Sequence, residues 1–208
     1  MYLVQPNYTF LSLLKNFDLL AGIYTKRYTK QQTVTASFTD FNFTNTPEVG
    51  EVIHCQIYFD YSQAFKIGIK GVFHLENVFT GQTRPLGSIR ALFVVVGQQR
   101  QRLASLGTPI ERINVPLPKE NSEVTRNYSI EEKHLNTIGV VFGGKSLTWL
   151  LEDYLSKWEL DKINNILVIN FDNPLHMNDS PIKESYNDQI LIKVNNVCCL
   201  AVHLKPRL

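Results

Sequence analysis

The same order of apolar periodicities runs through this chain twice, and that doubling limits the fold more than any single motif does. Residues 10 to 27 place Phe10, Leu13, Leu14, Phe17, Ala21 and Tyr24 at helical spacing. Leu11, Leu20 and Ile23 spread apolar character around most of that cylinder, so the helix needs burial on several sides. Four β-patterned runs follow: TVTASFTDFNF, EVIHCQIYFDY, FKIGIKGVFHLENVF and SIRALFVVVG. Pro47 and Gly50 mark a turn after the first run, and TGQTRPLG, residues 80 to 87, reads as a loop. From Gln98 to about Ile130 the periodicity fades among Pro109, Pro116 and Pro118, as in a linker.

The order then restarts. A short strand is expected at about 137 to 142, a helix from Gly144 to about Trp158, then the strand NILVINF. DQILIKV and VCCLAVHL, after a loop with Pro181, match the third and fourth elements of the first half, which leaves no equivalent of SIRALFVVVG. The pattern predicts an α+β fold of two domains, 1–118 and 119–208, each a long helix wrapped by its own antiparallel sheet, the second truncated. The missing strand would leave an edge for a partner subunit to cover.

Composition narrows the function classes. With 44% hydrophobic residues the chain can build a core, and a net charge of +2 from well-mixed charges carries no footprint for nucleic acid or an anionic membrane. Lys15 and Asp18 interrupt the apolar N-terminal stretch well short of a membrane span. Cys55, Cys198 and Cys199 offer neither an even disulfide set nor metal spacing, which fits a reducing intracellular compartment, cytoplasmic or mitochondrial. His54, His74 and His203 also lack ligand spacing, so no metal is expected.

The stretch HLNTIGVVFGGKSLTW, residues 134 to 149, resembles the N-x-x-G-x-x-F-G-G-x-x-L-x-W signature of hotdog-fold acyl-CoA thioesterases. FDLLAG with TVTASFTDFNF is similar to that family's aspartate-bearing helix and the strand after it, and PEVGE and ENVFTGQTRPLGSIRALFVVV are similar to its later strands. The resemblance implies a tandem double-hotdog acyl-CoA hydrolase acting in fatty acid metabolism. It implies no cofactor beyond the coenzyme A of the substrate, and assembly as a homo-oligomer, a trimer of double hotdogs.

It also implies the chemistry. Glycines at a strand-to-helix junction let a thioester carbonyl approach backbone N–H groups at the positive helix end, so Gly143 and Gly144 would polarise it. Asn136 would orient water or the carbonyl, and Asp18 would act as general base or nucleophile, its carboxylate made more basic by apolar neighbours. The plainer readings are that the glycines only permit close packing, that Asn136 caps a turn, and that Asp18 lies on an exposed stripe near Lys15.

Departures from the signature are informative. The first half carries Leu3, Phe10 and Leu11 where the asparagine and glycines belong, and the second carries Leu151 where the aspartate belongs. Glu152, one residue on, is the possible substitute acid. Pairing Asp18 with Asn136 leaves one composite site between the halves. The alternatives are a catalytically inactive hotdog module that binds acyl-CoA or serves as an assembly partner, and a dehydratase using His134. Lys26, Arg27, Arg84, Arg100, Arg102 and Lys145 are available to coenzyme A phosphates.

Overall fold

A computed structural model describes residues 2–5, 8–109, 111–118, 123–136, 138–155 and 157–206. The chain opens with β1 (Tyr2–Leu3) and α1 (Phe10–Thr29). The helix starts at Thr9, whose Oγ1 accepts from the Ser12 amide, and stops at Lys30, a left-handed cap after the basic Lys26 and Arg27. Four long strands follow: β2 (Thr33–Phe43), β3 (Glu51–Ala64), β4 (Lys66–Asn77) and β5 (Thr83–Val95). β5 begins inside the stretch expected to be a loop. Pro85 is accommodated because the β4–β5 register shifts beside it, between Phe73 and His74, and because β2 reaches only as far as Gly87 on the other side.

The expected linker contains two strands, β6 (Leu103–Leu106) and β7 (Glu123–Asn127). Between them Arg112 reaches Asn170 and Asp172, the Ile113 carbonyl accepts from Asn170 Nδ2, and the Pro116 carbonyl accepts from Gln189 Nε2. Asn170 and Gln189 alternate with the core residues Ile169 and Ile190, so this segment straps the outer face of the sheet. The strand expected at 137 to 142 falls partly on Thr137, outside the described residues; around it only the bridges Leu135–Val141 and Val140–His176 form.

α2 (Gly143–Leu151) is shorter than expected, and a separate α3 (Leu160–Asn164) follows. Two acids, Glu152 and Asp153, end α2 where the helix dipole disfavours negative charge, and both are drawn outward, Glu152 to Arg126 and Tyr128, Asp153 to Lys183. The chain closes with β8 (Ile166–Phe171), β9 (Ile182–Ser185), β10 (Gln189–Val194) and β11 (Val197–Leu204).

The sheet order β1-β3-β4-β5-β2-β8-β11-β10-β9-β7 corrects two expectations. The halves share one continuous sheet, joined where Ser37, Phe38 and Thr39 of β2 pair Asn170, Ile169 and Val168 of β8. The second half is not missing its last strand. β11 lies between β8 and β10 as β5 lies between β2 and β4, so VCCLAVHL is the counterpart of SIRALFVVVG. What has shrunk is the counterpart of β3: β9 has four residues where β3 has fourteen. Nor is its edge bare, because β7 pairs along it. One core spans the seam, with Phe17, Phe38, Leu147, Ile169 and Val202 all buried in it, and α1 packs against α2. Among the described residues no helix is long and apolar enough to cross a membrane.

Candidate active site

Asp18 sits on the buried face of α1 with Leu14, Phe17 and Ala21, and only 4% of it is exposed. An ionised carboxylate there needs a partner. It has one: Thr35, near the start of β2, donates from Oγ1 to Asp18 Oδ1 at 2.5 Å. Burial pushes the Asp18 carboxyl from its ordinary 3.8 up to about 6, and the Thr35 hydrogen bond pulls the other way. The group is therefore mostly ionised at neutral pH yet more basic than an ordinary aspartate.

The other oxygen, Oδ2, accepts no hydrogen bond among the described residues and lies against the first turn of α2. A Cβ on Gly143 would stand 2.7 Å from it, so only glycine admits the carboxylate here. The α2 N-cap is Phe142, which has no capping side chain, and the amides of Lys145 and Ser146 turn back to the Phe142 carbonyl. That leaves the N–H groups of Gly143 and Gly144 without an acceptor among the described residues, at the positive end of the helix. The two glycines differ in position. Gly143 lines the cavity, whereas a Cβ on Gly144 would strike the Phe142 ring at 2.7 Å and crowd Lys15, so its small size serves close packing of α2.

Asn136 does cap a turn. Its Oδ1 accepts from the amides of Ile138 and Val140, and its main chain bonds Val140 and Gly139 in a tight loop that Gly139 enters at φ +76°. With Oδ1 anchored, Nδ2 is the group with no partner among the described residues, and Asn136 also lines the cavity.

Asp18, Thr35, Asn136 and Gly143 share one cavity of about 620 Å³, within the range of small-molecule sites. Its apolar walls come from both halves of the chain, including Gly22 and Phe93 from the first, Phe171 and Leu200 from the second. Thr35 was not singled out from the sequence, because a threonine in a threonine-rich strand looks like β-propensity. The available signal was its spacing two residues from Thr33, on a face turned toward the helix that bears the aspartate.

Other expected residues lie elsewhere. Glu152 does not line this cavity; its Oε1 accepts from Arg126 and from the Tyr128 hydroxyl, which ties β7 and the segment after it to the end of α2. His134 is also off the cavity, its Nδ1 accepting from the Glu131 amide and its ring edge-on to Trp149. Of the candidate cations only Lys26 is on the cavity wall; Arg84 is held by Glu51, Arg100 and Arg102 cover the Phe65 ring, and Lys145 covers Trp149.

The reciprocal position is filled. At the start of α1, Phe10 is fully buried, with its ring 5.0 Å from Phe43 and 5.5 Å from Trp158, both edge-on, and the Trp158 indole donates to the Tyr8 carbonyl. Leu151, in the place of the second aspartate, is fully buried as well.

No family model and no curated protein matches the sequence. Solved structures do match. The 12:0-ACP thioesterase from Umbellularia californica aligns over 100% of this chain and 94% of its own, with a TM-score of 0.65 at 11% identity. An acyl-ACP thioesterase from Bacteroides thetaiotaomicron aligns over 98% of this chain and 96% of its own, with a TM-score of 0.63 at 11% identity. The chain has the hotdog fold of these enzymes.

Proposed function

We propose that this protein hydrolyses acyl thioesters, releasing a carboxylic acid and a thiol, at one composite site between two tandem hotdog units, residues 1–118 and 119–208. The observation that carries this reading is Asp18: a buried carboxylate of raised pKa, set against an uncapped helix N-terminus in a cavity it shares with Asn136. Burying a carboxylate with one hydrogen bond is costly to a fold and useful to a base. The thioester carbonyl oxygen lies toward the Gly143 amide and Asn136 Nδ2, donors that strengthen as negative charge develops. Asp18 takes a proton from water as the water oxygen attacks the carbonyl carbon, Thr35 keeps the carboxylate turned toward the cavity, and the C–S bond breaks as Asp18 returns that proton to the departing sulfur.

Each unit supplies half of this machinery, Asp18 and Thr35 from the first, Asn136 and Gly143 from the second, so a single chain is sufficient. Both coenzyme A and acyl carrier protein present the thioester on a pantetheine arm. The sequence motif is similar to acyl-CoA hydrolases, and the two solved structures described above are named for acyl carrier protein substrates. The test is thiol release from acyl groups of rising length on each carrier. Turnover on either supports the reading and identifies the carrier. A folded protein that binds these thioesters without cleaving any leaves the inactive binding module in its place.

A further inference from the structure

We infer that Gly22 sets the length of acyl chain the cavity accepts, an inference that rests on the thioesterase reading above. The residues of α1 on the cavity wall are Asp18, Leu19, Gly22, Ile23 and Lys26, one face of the helix, with Gly22 a single turn beyond the base. Glycine in the interior of a twenty-residue helix lowers stability relative to alanine and normally has a local reason. Gly22 has neither of the usual ones. It is not among the residues of positive φ, and a Cβ there would meet only the Phe93 ring edge, at 3.9 Å, an ordinary contact.

The glycines of the strands make the contrast. A Cβ on Gly68 would fall 2.2 Å from the Tyr61 ring, and one on Gly71 would fall 2.5 Å from Phe17, so packing demands both. At Gly22 a side chain fits, and the space it would take belongs to the cavity. The lining beside it includes Ile23 and Phe93, which suits a hydrocarbon chain, and Asp172 and Asn173 elsewhere on the same lining are polar groups for the amides of pantetheine. The acyl chain thus leaves the carbonyl at Asp18 and runs over Gly22 against Phe93, where a missing side chain lengthens its channel.

The test compares wild type with Gly22→Ala and Gly22→Leu in two measurements: thiol release across short to long acyl thioesters, and affinity for the free fatty acids of the same lengths. The long-to-short ratio of turnover should fall by on the order of tenfold in Gly22→Leu and by less in Gly22→Ala, with fatty-acid affinity following the same order. The melting temperature of Gly22→Ala should rise by about 2–4 °C, which excludes misfolding as the cause. An unchanged length profile in both variants overturns the inference while leaving the proposed function intact, and so does an equal loss at every length, which would put the carrier arm at Gly22. A wild-type protein that neither cleaves thioesters nor binds fatty acids removes the proposed function and this inference with it.

Discussion

The two helices that pack together in the core, α1 and α2, begin in opposite ways. α1 starts with a threonine cap and an aromatic residue wedged between Phe43 and Trp158; α2 starts with an uncapped phenylalanine followed by two glycines. At the first start the Thr9 hydroxyl takes the Ser12 amide and the volume beside it is filled with apolar rings, arrangements that stabilise. At the second, donors and a carboxylate face a cavity, arrangements that cost stability. One helix start is thus closed by packing, and the other is open to a cavity. Leu151 and Asp18 carry the same contrast one helix face away: one is an apolar core residue, the other a buried acid.

Asp18 gives the largest expected effect. Its folded pKa is raised, so the folded state binds more protons than the unfolded state between about pH 4 and 6, and stability falls as pH rises through that window. Above it the full penalty is present, about 3 kcal/mol for a carboxyl moved from 3.8 to about 6. Asp18→Asn should therefore be more stable than wild type at pH 7, lose that advantage near pH 4, and lose thioester turnover about a thousandfold. Gly143→Ala comes next. Its Cβ must displace the Asp18 carboxylate, and turnover should drop on the order of 10²-fold. Gly144→Ala would instead disturb Phe142 and Lys15, so a larger loss of stability than of activity there sharpens the difference between the two glycines.

Asn136→Asp separates turn from chemistry. The carboxylate still accepts from the Ile138 and Val140 amides, so the loop is kept, but the Nδ2 donor is gone; turnover should fall on the order of 10²-fold while thermal unfolding stays close to wild type. Thr35→Val removes the hydrogen bond that holds the Asp18 pKa down, so the acid limb of the pH–rate profile should move upward from about 6, with a rate loss on the order of tenfold at neutral pH. At the closed end, Phe10→Ala should destabilise by about 3–5 kcal/mol and create no second activity.

Much of the fold was legible because burial imposes periodicity. α1 and β2 to β4 follow from the spacing of apolar residues; of the four residues that the motif resemblance singles out, Asp18, Asn136 and Gly143 line one cavity and Gly144 does not. The misreadings have a physical pattern. IKES in β9 is four residues long and buries a lysine, Lys183, whose Nζ reaches the exposed Asp153, so it carries no apolar alternation; read as a loop, it displaced the assignment of each later strand by one. β5 was clipped because a proline in a strand is tolerated only where a bulge releases the ladder, and a bulge is set by the partner strand. Thr35 and Gly22 went unread for a related reason: what each does is decided by the residue opposite, Asp18 in one case and Phe93 in the other.

The most direct measurement is turnover and thermal stability of wild type and Asp18→Asn followed together from about pH 4 to 8. The expected result is a wild-type rate that rises with an apparent pKa near 6, and a variant that is inert throughout yet melts higher at neutral pH. A variant that keeps its rate, or that melts lower than wild type at pH 7, would contradict the assignment of Asp18 as a buried base held at the open helix end.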